Sequence, residues 1–170
     1  KTLDLMVDLD PDRVAVFSYA HVPSLKRQQK SLEKHLPSES EKLQFFVDAI
    51  RKFTSAGYEH IGMDHFARPG DPLVEARNNG TLHRNFQGYT THSETDLVGF
   101  GVSAISHVGH TFTQNFRDLS SYEDAIRSDR LPEFRGYVQS GDDIIRGAVI
   151  EECLCNERIS KDTIERRFEI

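Results

Sequence analysis

A helix pattern between two β-prone runs limits the folds that this chain can adopt. The helix begins at Ser38, which forms a capping box pattern with Glu41, and Gly57 is suited to end it. Its apolar residues recur at helical spacing: Leu43, Phe46, Val47, Ile50 and Phe53. The β-prone runs lie at residues 14–19 and 58–66, and we expect both to be buried strands. A strand, a helix and a strand in this order predict a βαβ unit with a parallel sheet.

The flanking segments extend this α/β pattern. Residues 24–37 are basic and polar, which predicts an exposed segment with little fixed structure. Residues 71–80 fit one short helix, and residues 97–105 form a third apolar run, which we expect to be a strand. Helical patterns then follow at residues 120–128, at 141–155 and from 160 onward. We therefore predict an α/β part over residues 1–115 and a mostly helical part over residues 116–170.

Composition and charge disfavour several classes of protein. The chain has 170 residues, 37% apolar and 28% charged, which suits one ordinary domain with a core. Its formal net charge of −6 disfavours nucleic acid as a partner, because phosphates need clustered Lys and Arg. No apolar stretch approaches the roughly 20 residues of a membrane-spanning helix, and no signal peptide opens the chain. We expect no membrane span and a cytoplasmic protein.

Cysteines and histidines do not form a recognisable metal site. Cys153 and Cys155 are the only cysteines, and their spacing suits neither a disulfide framework nor a complete metal site. His60 and His65 lie on the second predicted strand and would project to opposite faces. The sequence also lacks a P-loop, a dinucleotide-binding fingerprint and a Gly-x-Ser-x-Gly motif. We therefore predict no metal ligands in this chain.

Two short strings at predicted strand ends are candidate ligand sites, because α/β folds bind ligands there. In Phe-Ser-Tyr-Ala-His-Val-Pro, residues 17–23, the small side chain of Ala20 either lets a flat ligand approach the backbone or simply packs. In Gly-Met-Asp-His-Phe-Ala-Arg-Pro, residues 62–69, a carboxylate, an imidazole and a guanidinium lie close together. They suit proton transfer, anion binding or a salt-bridged strand end.

A third string completes a resemblance to a known family. Residues 82–91, Leu-His-Arg-Asn-Phe-Gln-Gly-Tyr-Thr-Thr, contain a polar and aromatic loop, at residues 83–91, of the kind that lines ligands. With residues 62–69 and with Gly-Val-Ser-Ala-Ile-Ser at 101–106, it resembles the oxygen-independent coproporphyrinogen III oxidases in order and spacing. The resemblance implies the later βα units of a partial TIM-like barrel of the radical S-adenosylmethionine type, over residues 1–115. A mostly α-helical C-terminal region would begin at residue 116.

The resemblance also implies an activity and its cofactors. Two propionates of coproporphyrinogen III would be oxidatively decarboxylated to vinyl groups, giving protoporphyrinogen IX in haem biosynthesis. S-adenosylmethionine and a [4Fe–4S] cluster would supply the radical chemistry, and the sequence leaves the electron donor unassigned. The Cys-x-x-x-Cys-x-x-Cys ligands of such a cluster are absent from this chain. We therefore expect a fragment of the whole enzyme that is inactive alone.

Site residues follow from the resemblance position by position. Ala20 matches a position that contacts a second S-adenosylmethionine, and Ile105 matches one that packs beside the first. Phe86 and Gln87 match positions near the cofactor that the family needs for activity, and the alternative is a packed loop.

Two arginines are our own candidates for binding the substrate. Arg68 and Arg84 suit the propionates, because a guanidinium binds a carboxylate as a fork. Asp64 and His65 lie in the family's signature string, but no role is assigned to them.

Two other functions stay open. A haem-trafficking paralogue of the same superfamily would bind the porphyrin ring without decarboxylating it, although the string at residues 62–69 argues against this. A binding or scaffold module without a cluster is the other alternative, and a cysteine triplet elsewhere in the protein would exclude it.

Overall fold

Two units make up the part of the chain that the computed structural model describes, residues 1–93 and 95–170. They comprise Lys1–Asn79 and Gly80–Ile170. The predicted boundary after residue 115 lies inside the second unit. It separates a barrel from a helical region in a longer protein, so it stays a prediction. The mixture of helices and strands agrees with the predicted α/β class, and the described residues form no closed barrel.

The first unit contains a long helix with the predicted N-terminus. Its elements are α1 (Thr2–Leu9), β1 (Arg13–Ala15), α2 (Glu39–Ser55), β2 (Glu59–Gly62), β3 (His65–Ala67) and α3 (Pro72–Asn79). Ser38 caps α2 in a complete capping box, in which Glu41 N donates to Ser38 Oγ and Ser38 N donates to Glu41 Oε2 at 2.8 Å. Gly57 follows with a φ of 85°, a conformation that favours glycine after a helix. The predicted helices α2 and α3 are thus confirmed.

The sheet of this unit has the order β1-β3-β2, with antiparallel pairing between neighbours. β1 and β2 therefore run in the same direction on either side of β3, and α2 connects them. The predicted strand at residues 58–66 is instead a hairpin, because the chain reverses at Met63, which has a φ of 47°. The predicted parallel pairing is wrong: β3 occupies the place between the two parallel strands.

Aromatic side chains form the core of the first unit. Phe53 and Phe66 are fully buried with ring centroids 5.0 Å apart, and Tyr58 packs edge-on against Phe53 at 5.4 Å. The expectation of burial fails for Phe17 and Tyr19, which are 71% and 50% exposed. The reason is that β1 ends at Ala15, before either residue.

Residues 24–37 are exposed, as expected, but they are not without structure. A 3₁₀ helix covers Arg27–His35. The Gln29 side chain bridges back to the preceding loop, accepting from Val22 N at 2.6 Å and donating to the Ala20 carbonyl at 3.0 Å. These two bonds give the segment a fixed anchor that its polar composition does not indicate.

The second unit combines two antiparallel sheets with three helices. Its elements are β4 (His83–Asn85), β5 (Gly88–Thr90), β6 (Ile105–Val108), β7 (Thr111–Asn115), α4 (Leu119–Arg127), β8 (Glu133–Val138), α5 (Gly141–Asn156) and α6 (Lys161–Phe168). β4 and β5 form a hairpin, and the other sheet has the order β6-β7-β8. The three predicted helices are confirmed, whereas β7 and β8 were not predicted, and residues 83–91, expected to be a loop, form the hairpin β4–β5.

The predicted third strand, at residues 97–105, is mostly a loop. Leu97 makes one isolated bridge to His107, and the strand begins only at Ile105. The buried Asn115 side chain donates to the carbonyls of Gly99 and Gly101 at 3.3 and 2.9 Å. The loop also packs so closely that a Cβ on Gly99 would lie 2.6 Å from the Ile105 carbonyl oxygen. The Asn115 hydrogen bonds and this close backbone packing, instead of strand pairing, therefore hold the loop in place.

Candidate functional site

A hairpin of the second unit presents two of the predicted site residues at its tip. β4 pairs with β5 in a register that places Asn85 opposite Gly88, so Phe86 and Gln87 form the two-residue loop. The Phe86 side chain is 57% exposed. Gln87 is also exposed, and its side-chain amide has no hydrogen-bond partner among residues 1–93 and 95–170. The tip therefore offers an aromatic face and a free amide to a ligand.

Helix α5 holds the base of this hairpin. Glu151 Oε1 lies 2.9 Å from His83 Nδ1 and accepts a hydrogen bond from Arg84 N at 3.4 Å. On the opposite strand, the Tyr89 hydroxyl donates to the Leu154 carbonyl at 3.0 Å. Both strands of the hairpin are therefore tied to the same helix.

A row of rings supports the tip. Phe86 meets Phe112 of β7 edge to face, with ring centroids 5.4 Å apart. The Phe112 ring stacks on His107 of β6 at 4.0 Å, and His107 Nε2 lies 3.3 Å from Gln139 Oε1. The ring of Phe86 thus rests on the three-stranded sheet while much of its surface stays exposed.

Arg84 has an unused hydrogen-bond donor. Its guanidinium carbon lies 4.9 Å from the centroid of the Tyr89 ring. Its Nη1 is buried and has no hydrogen-bond partner in the described part of the chain. A buried, unpaired donor of a charged group costs free energy, which a carboxylate ligand would recover. This donor fits the predicted binding of a propionate.

Arg68, by contrast, uses its guanidinium inside the first unit. Nη1 donates to the Ala56 carbonyl at 2.7 Å, Nη2 contacts the Asp10 carboxylate, and the group lies 3.9 Å above the Tyr58 ring. These contacts connect α1, α2 and the hairpin β2–β3. They favour a structural role for Arg68, and its predicted substrate contact stays a prediction.

Neighbouring residues of the signature string are also tied to local structure. Asp64 Oδ1 lies 2.8 Å from His65 Nδ1, and the Phe17 ring meets His65 edge-on at 5.8 Å. The Asp64 carbonyl accepts from Val16 N at 2.9 Å. These contacts join the turn of hairpin β2–β3 to the segment after β1.

The two residues expected beside S-adenosylmethionine lie in different units. Ala20 is exposed on the loop that Gln29 anchors in the first unit. Ile105 is half-buried at the start of β6 in the second unit, opposite Gln114. Arg84, Phe86 and Gln87 are the candidates that the structure brings together, on one hairpin.

Cysteine chemistry does not fit an iron–sulfur cluster in this chain. Cys155 is buried, and desolvation, with a smaller contribution from Glu151, raises the pKa of its thiol to about 11. Cys153 is exposed on the same helix. The described residues contain no group of three or more His, Cys, Asp or Glu side chains able to hold a metal ion. Cluster ligation requires several thiolates, which these two residues do not provide.

Three supporting residues were not found from the sequence: Glu151 at the base of the hairpin, Asn115 beneath the glycine loop and Gln29 behind Ala20. The contacts of Glu151 and Asn115 reach across 14 to 68 residues of chain, so no local pattern indicates them. Only the buried polar character of Asn115 would have suggested a bonding role, and burial is not visible in the sequence. Separately, no helix in the described ranges is long and apolar enough to cross a membrane.

A known enzyme has this fold. The chain superposes on the solved structure of coproporphyrinogen III oxidase from Escherichia coli, described as a radical SAM enzyme, with a TM-score of 0.92 and 43% sequence identity. The match covers 99% of this chain and 39% of that one. In fold, the chain is therefore similar to part of a radical SAM enzyme.

Sequence relatives identify the family. The chain is 44% identical to the oxygen-independent coproporphyrinogen III oxidase of Escherichia coli K12 over 170 residues and 43% identical to that of Pseudomonas aeruginosa over 171. That of Helicobacter pylori is 41% identical over 171 residues. No family model matches the chain. The chain belongs to the family of oxygen-independent coproporphyrinogen III oxidases and corresponds to a C-terminal part of them. These matches cover 99% to 100% of this chain, which spans 37% of the length of each relative.

Proposed function

We propose that the protein containing this chain is an oxygen-independent coproporphyrinogen III dehydrogenase, an oxidoreductase of haem biosynthesis. It converts two propionates of coproporphyrinogen III to vinyl groups and yields protoporphyrinogen IX. Relatives named for this activity are 40% to 45% identical over nearly the whole chain, which supports the proposal. The observation that carries it is the hairpin β4–β5, which places a free amide, an exposed ring and a guanidinium with an unused donor within four residues.

Cofactor chemistry accounts for the difficult step of this reaction. S-adenosylmethionine and a [4Fe–4S] cluster, when bound, would supply the radical that takes a hydrogen atom from the substrate propionate. The cluster would need ligands from the protein beyond this chain, because Cys153 and Cys155 do not fit it. The fragment alone would therefore be inactive, and the electron donor is not assigned by any residue described above.

The residues of this chain would bind and orient the ligands of the reaction. The Gln87 amide is free to donate to and accept from a polar ligand group, and the exposed Phe86 ring offers an apolar face. Ile105 would pack beside S-adenosylmethionine and Ala20 would contact a second molecule of it, since a half-buried aliphatic side chain and a small one both allow close packing.

Arg84 is the better-supported candidate for a substrate propionate. Its buried Nη1 lacks a partner in the described part of the chain, and a carboxylate would supply one. Arg68 remains a second candidate, but its guanidinium is already bonded to Ala56 and Asp10. We also propose a cytoplasmic location on the basis of the family, and no nucleic-acid partner, which the net charge of −6 supports.

The experiment that tests the function uses the full-length protein. It is reconstituted anaerobically with iron and sulfide and assayed for S-adenosylmethionine-dependent release of carbon dioxide from coproporphyrinogen III. We expect release from the full-length protein and none from residues 1–170 alone. A cluster without release would support a haem-handling paralogue instead, and the absence of any cluster would support a scaffold.

A further inference from the structure

We propose that Glu151 is a positioning residue, which locks the hairpin β4–β5 onto α5 so that Phe86 and Gln87 meet their ligand in one orientation. This inference rests on the proposed function of the hairpin. Glu151 itself lies at the base of the hairpin, away from the two tip residues, and it would act through them.

A single oxygen of Glu151 serves two adjacent residues of β4. Oε1 lies 2.9 Å from His83 Nδ1 and 3.4 Å from Arg84 N. The two side chains of the closer pair are each 33% exposed, so this contact is partly shielded from solvent. Because a carboxylate is a stronger acceptor than a neutral group, these bonds hold β4 with defined direction. Removing the one carboxylate releases both.

The hairpin needs such outside support. Each of its strands has three residues, and in the described part of the chain β4 and β5 pair only with each other. An isolated two-stranded hairpin is at best marginally stable in water, so its orientation depends on what it packs against. Among the described residues, α5 contacts the hairpin at its base and Phe112 contacts it at the tip.

The tip contact cannot replace the base contact. Phe86 meets Phe112 edge to face, an apolar contact that tolerates sliding and tilting of the ring. The Tyr89 hydroxyl bonds to a backbone carbonyl of α5 and holds the second strand. Without Glu151, β4 would keep no hydrogen bond to α5 among those the structure describes, and the loop at Phe86 and Gln87 would pivot about β5.

Glu152 is a matched control on the same helix. Its carboxylate accepts from Asn156 Nδ2 at 2.9 Å, a contact within α5, and among the described residues it makes no hydrogen bond or ion pair with the hairpin. Removal of either carboxylate changes the charge of the helix equally. A difference between the two variants therefore reports on the hairpin and not on the net charge or helix propensity.

The test compares Glu151→Ala, Glu151→Gln and Glu152→Ala in the reconstituted full-length protein. We expect amide hydrogen exchange in residues 83–90 to accelerate about tenfold in Glu151→Ala, and to stay at the wild-type rate in Glu152→Ala. The KM for S-adenosylmethionine should rise about tenfold in Glu151→Ala, with a smaller change in kcat, because a displaced binding group loses affinity first. Glu151→Gln should restore most of both properties, since its amide oxygen can accept the same two bonds.

Equal exchange rates and equal KM values in Glu151→Ala and Glu152→Ala would overturn the proposal. If Glu151→Ala does not fold, His83→Ala decides: accelerated exchange confined to residues 83–90 supports the proposal, and wild-type exchange overturns it. If the wild-type protein shows no S-adenosylmethionine-dependent activity, the proposed function fails, while the exchange measurement still supports or overturns the role of Glu151 in holding the hairpin.

Discussion

Two short hairpins of this chain look alike in sequence and differ in what surrounds them. Hairpin β2–β3 overlaps the string at residues 62–69 and hairpin β4–β5 lies in the string at residues 82–91, and each string combines aromatic residues with an arginine. In the first, β1 adds a third strand and Phe66 is 1% exposed in the core. In the second, no third strand pairs within the described residues, and Phe86 at the tip is 57% exposed. Neighbouring elements thus decide whether such a string builds the core or stays exposed.

Arginines show the same difference. The Arg68 guanidinium donates from Nη1 and Nη2 and covers the Tyr58 ring, so it joins three elements of the first unit. Arg84 lies beside the Tyr89 ring and keeps a buried nitrogen unpaired in the described part of the chain. Both terminal nitrogens of Arg68 are thus used inside the first unit, whereas one terminal nitrogen of Arg84 has no hydrogen-bond partner in the described part of the chain.

Truncating the two phenylalanines gives the sharpest test of this comparison. Phe66→Ala should lower the free energy of unfolding by about 3–5 kcal/mol, because it leaves a cavity against Phe53. Phe86→Ala should lower it by about 1 kcal/mol or less, since the ring is largely exposed and contacts mainly Phe112. Urea unfolding of the full-length protein measures both.

Activity should respond in the opposite way. Phe86→Ala should reduce S-adenosylmethionine-dependent carbon dioxide release by about tenfold or more, since it removes a positioned ring from the proposed ligand site. Phe100→Ala, which truncates an 89% exposed ring outside the hairpin, is the matched control. Similar losses of stability in Phe66→Ala and Phe86→Ala would remove the distinction between the hairpins.

Replacing each arginine by lysine separates their roles. Arg68→Lys should lower the free energy of unfolding by about 1–3 kcal/mol, because an ammonium cannot reach both the Ala56 carbonyl and Asp10 with the geometry of a fork. Arg84→Lys should leave stability nearly unchanged and raise the KM for coproporphyrinogen III about tenfold. Thermal unfolding and steady-state kinetics measure the two effects. A raised KM in Arg68→Lys with unchanged stability would reverse the assignment.

Thiol titration tests how tightly α5 packs behind the second hairpin, with the smallest expected effect. Burial raises the pKa of Cys155 from 9.0 to about 11. Below pH 9 the thiol is protonated in both the folded and the unfolded chain. Between pH 9 and 11 the unfolded chain loses its proton first, so the free energy of unfolding falls, on the order of 1 kcal/mol.

Alkylation provides the measurement. At pH 8 the exposed Cys153 should react with iodoacetamide well before Cys155, because the thiolate is the reactive form. Cys155→Ala should remove the loss of stability between pH 9 and 11, and Cys153→Ala should retain it. Equal alkylation rates of the two thiols would show that α5 is more loosely packed than the structure indicates.

Prediction from the sequence succeeded where the determining contacts are local. The capping box of Ser38 and Glu41 located the start of α2 because both partners lie within one helical turn. The prediction of a strand at residues 97–105 failed because it relied on apolar composition. Hydrogen bonds from Asn115 and the close approach of Gly99 to Ile105 hold these residues as a loop instead. The prediction of one strand at residues 58–66 failed because a turn at Met63 divides this apolar run into two strands.

The candidate site divides in the same way. The order of the motifs indicated the string at residues 82–91, and the resemblance to the family then implied Phe86 and Gln87 as site residues, since both depend on the sequence alone. The sequence by itself also determined the helices, whose caps and apolar faces depend on residues three or four positions apart. Only the tertiary structure decided the order of the strands, the different hydrogen bonding of Arg68 and Arg84, and the contact of Glu151 with β4. These depend on partners as many as 68 residues away, which packing of the whole chain brings within hydrogen-bond distance.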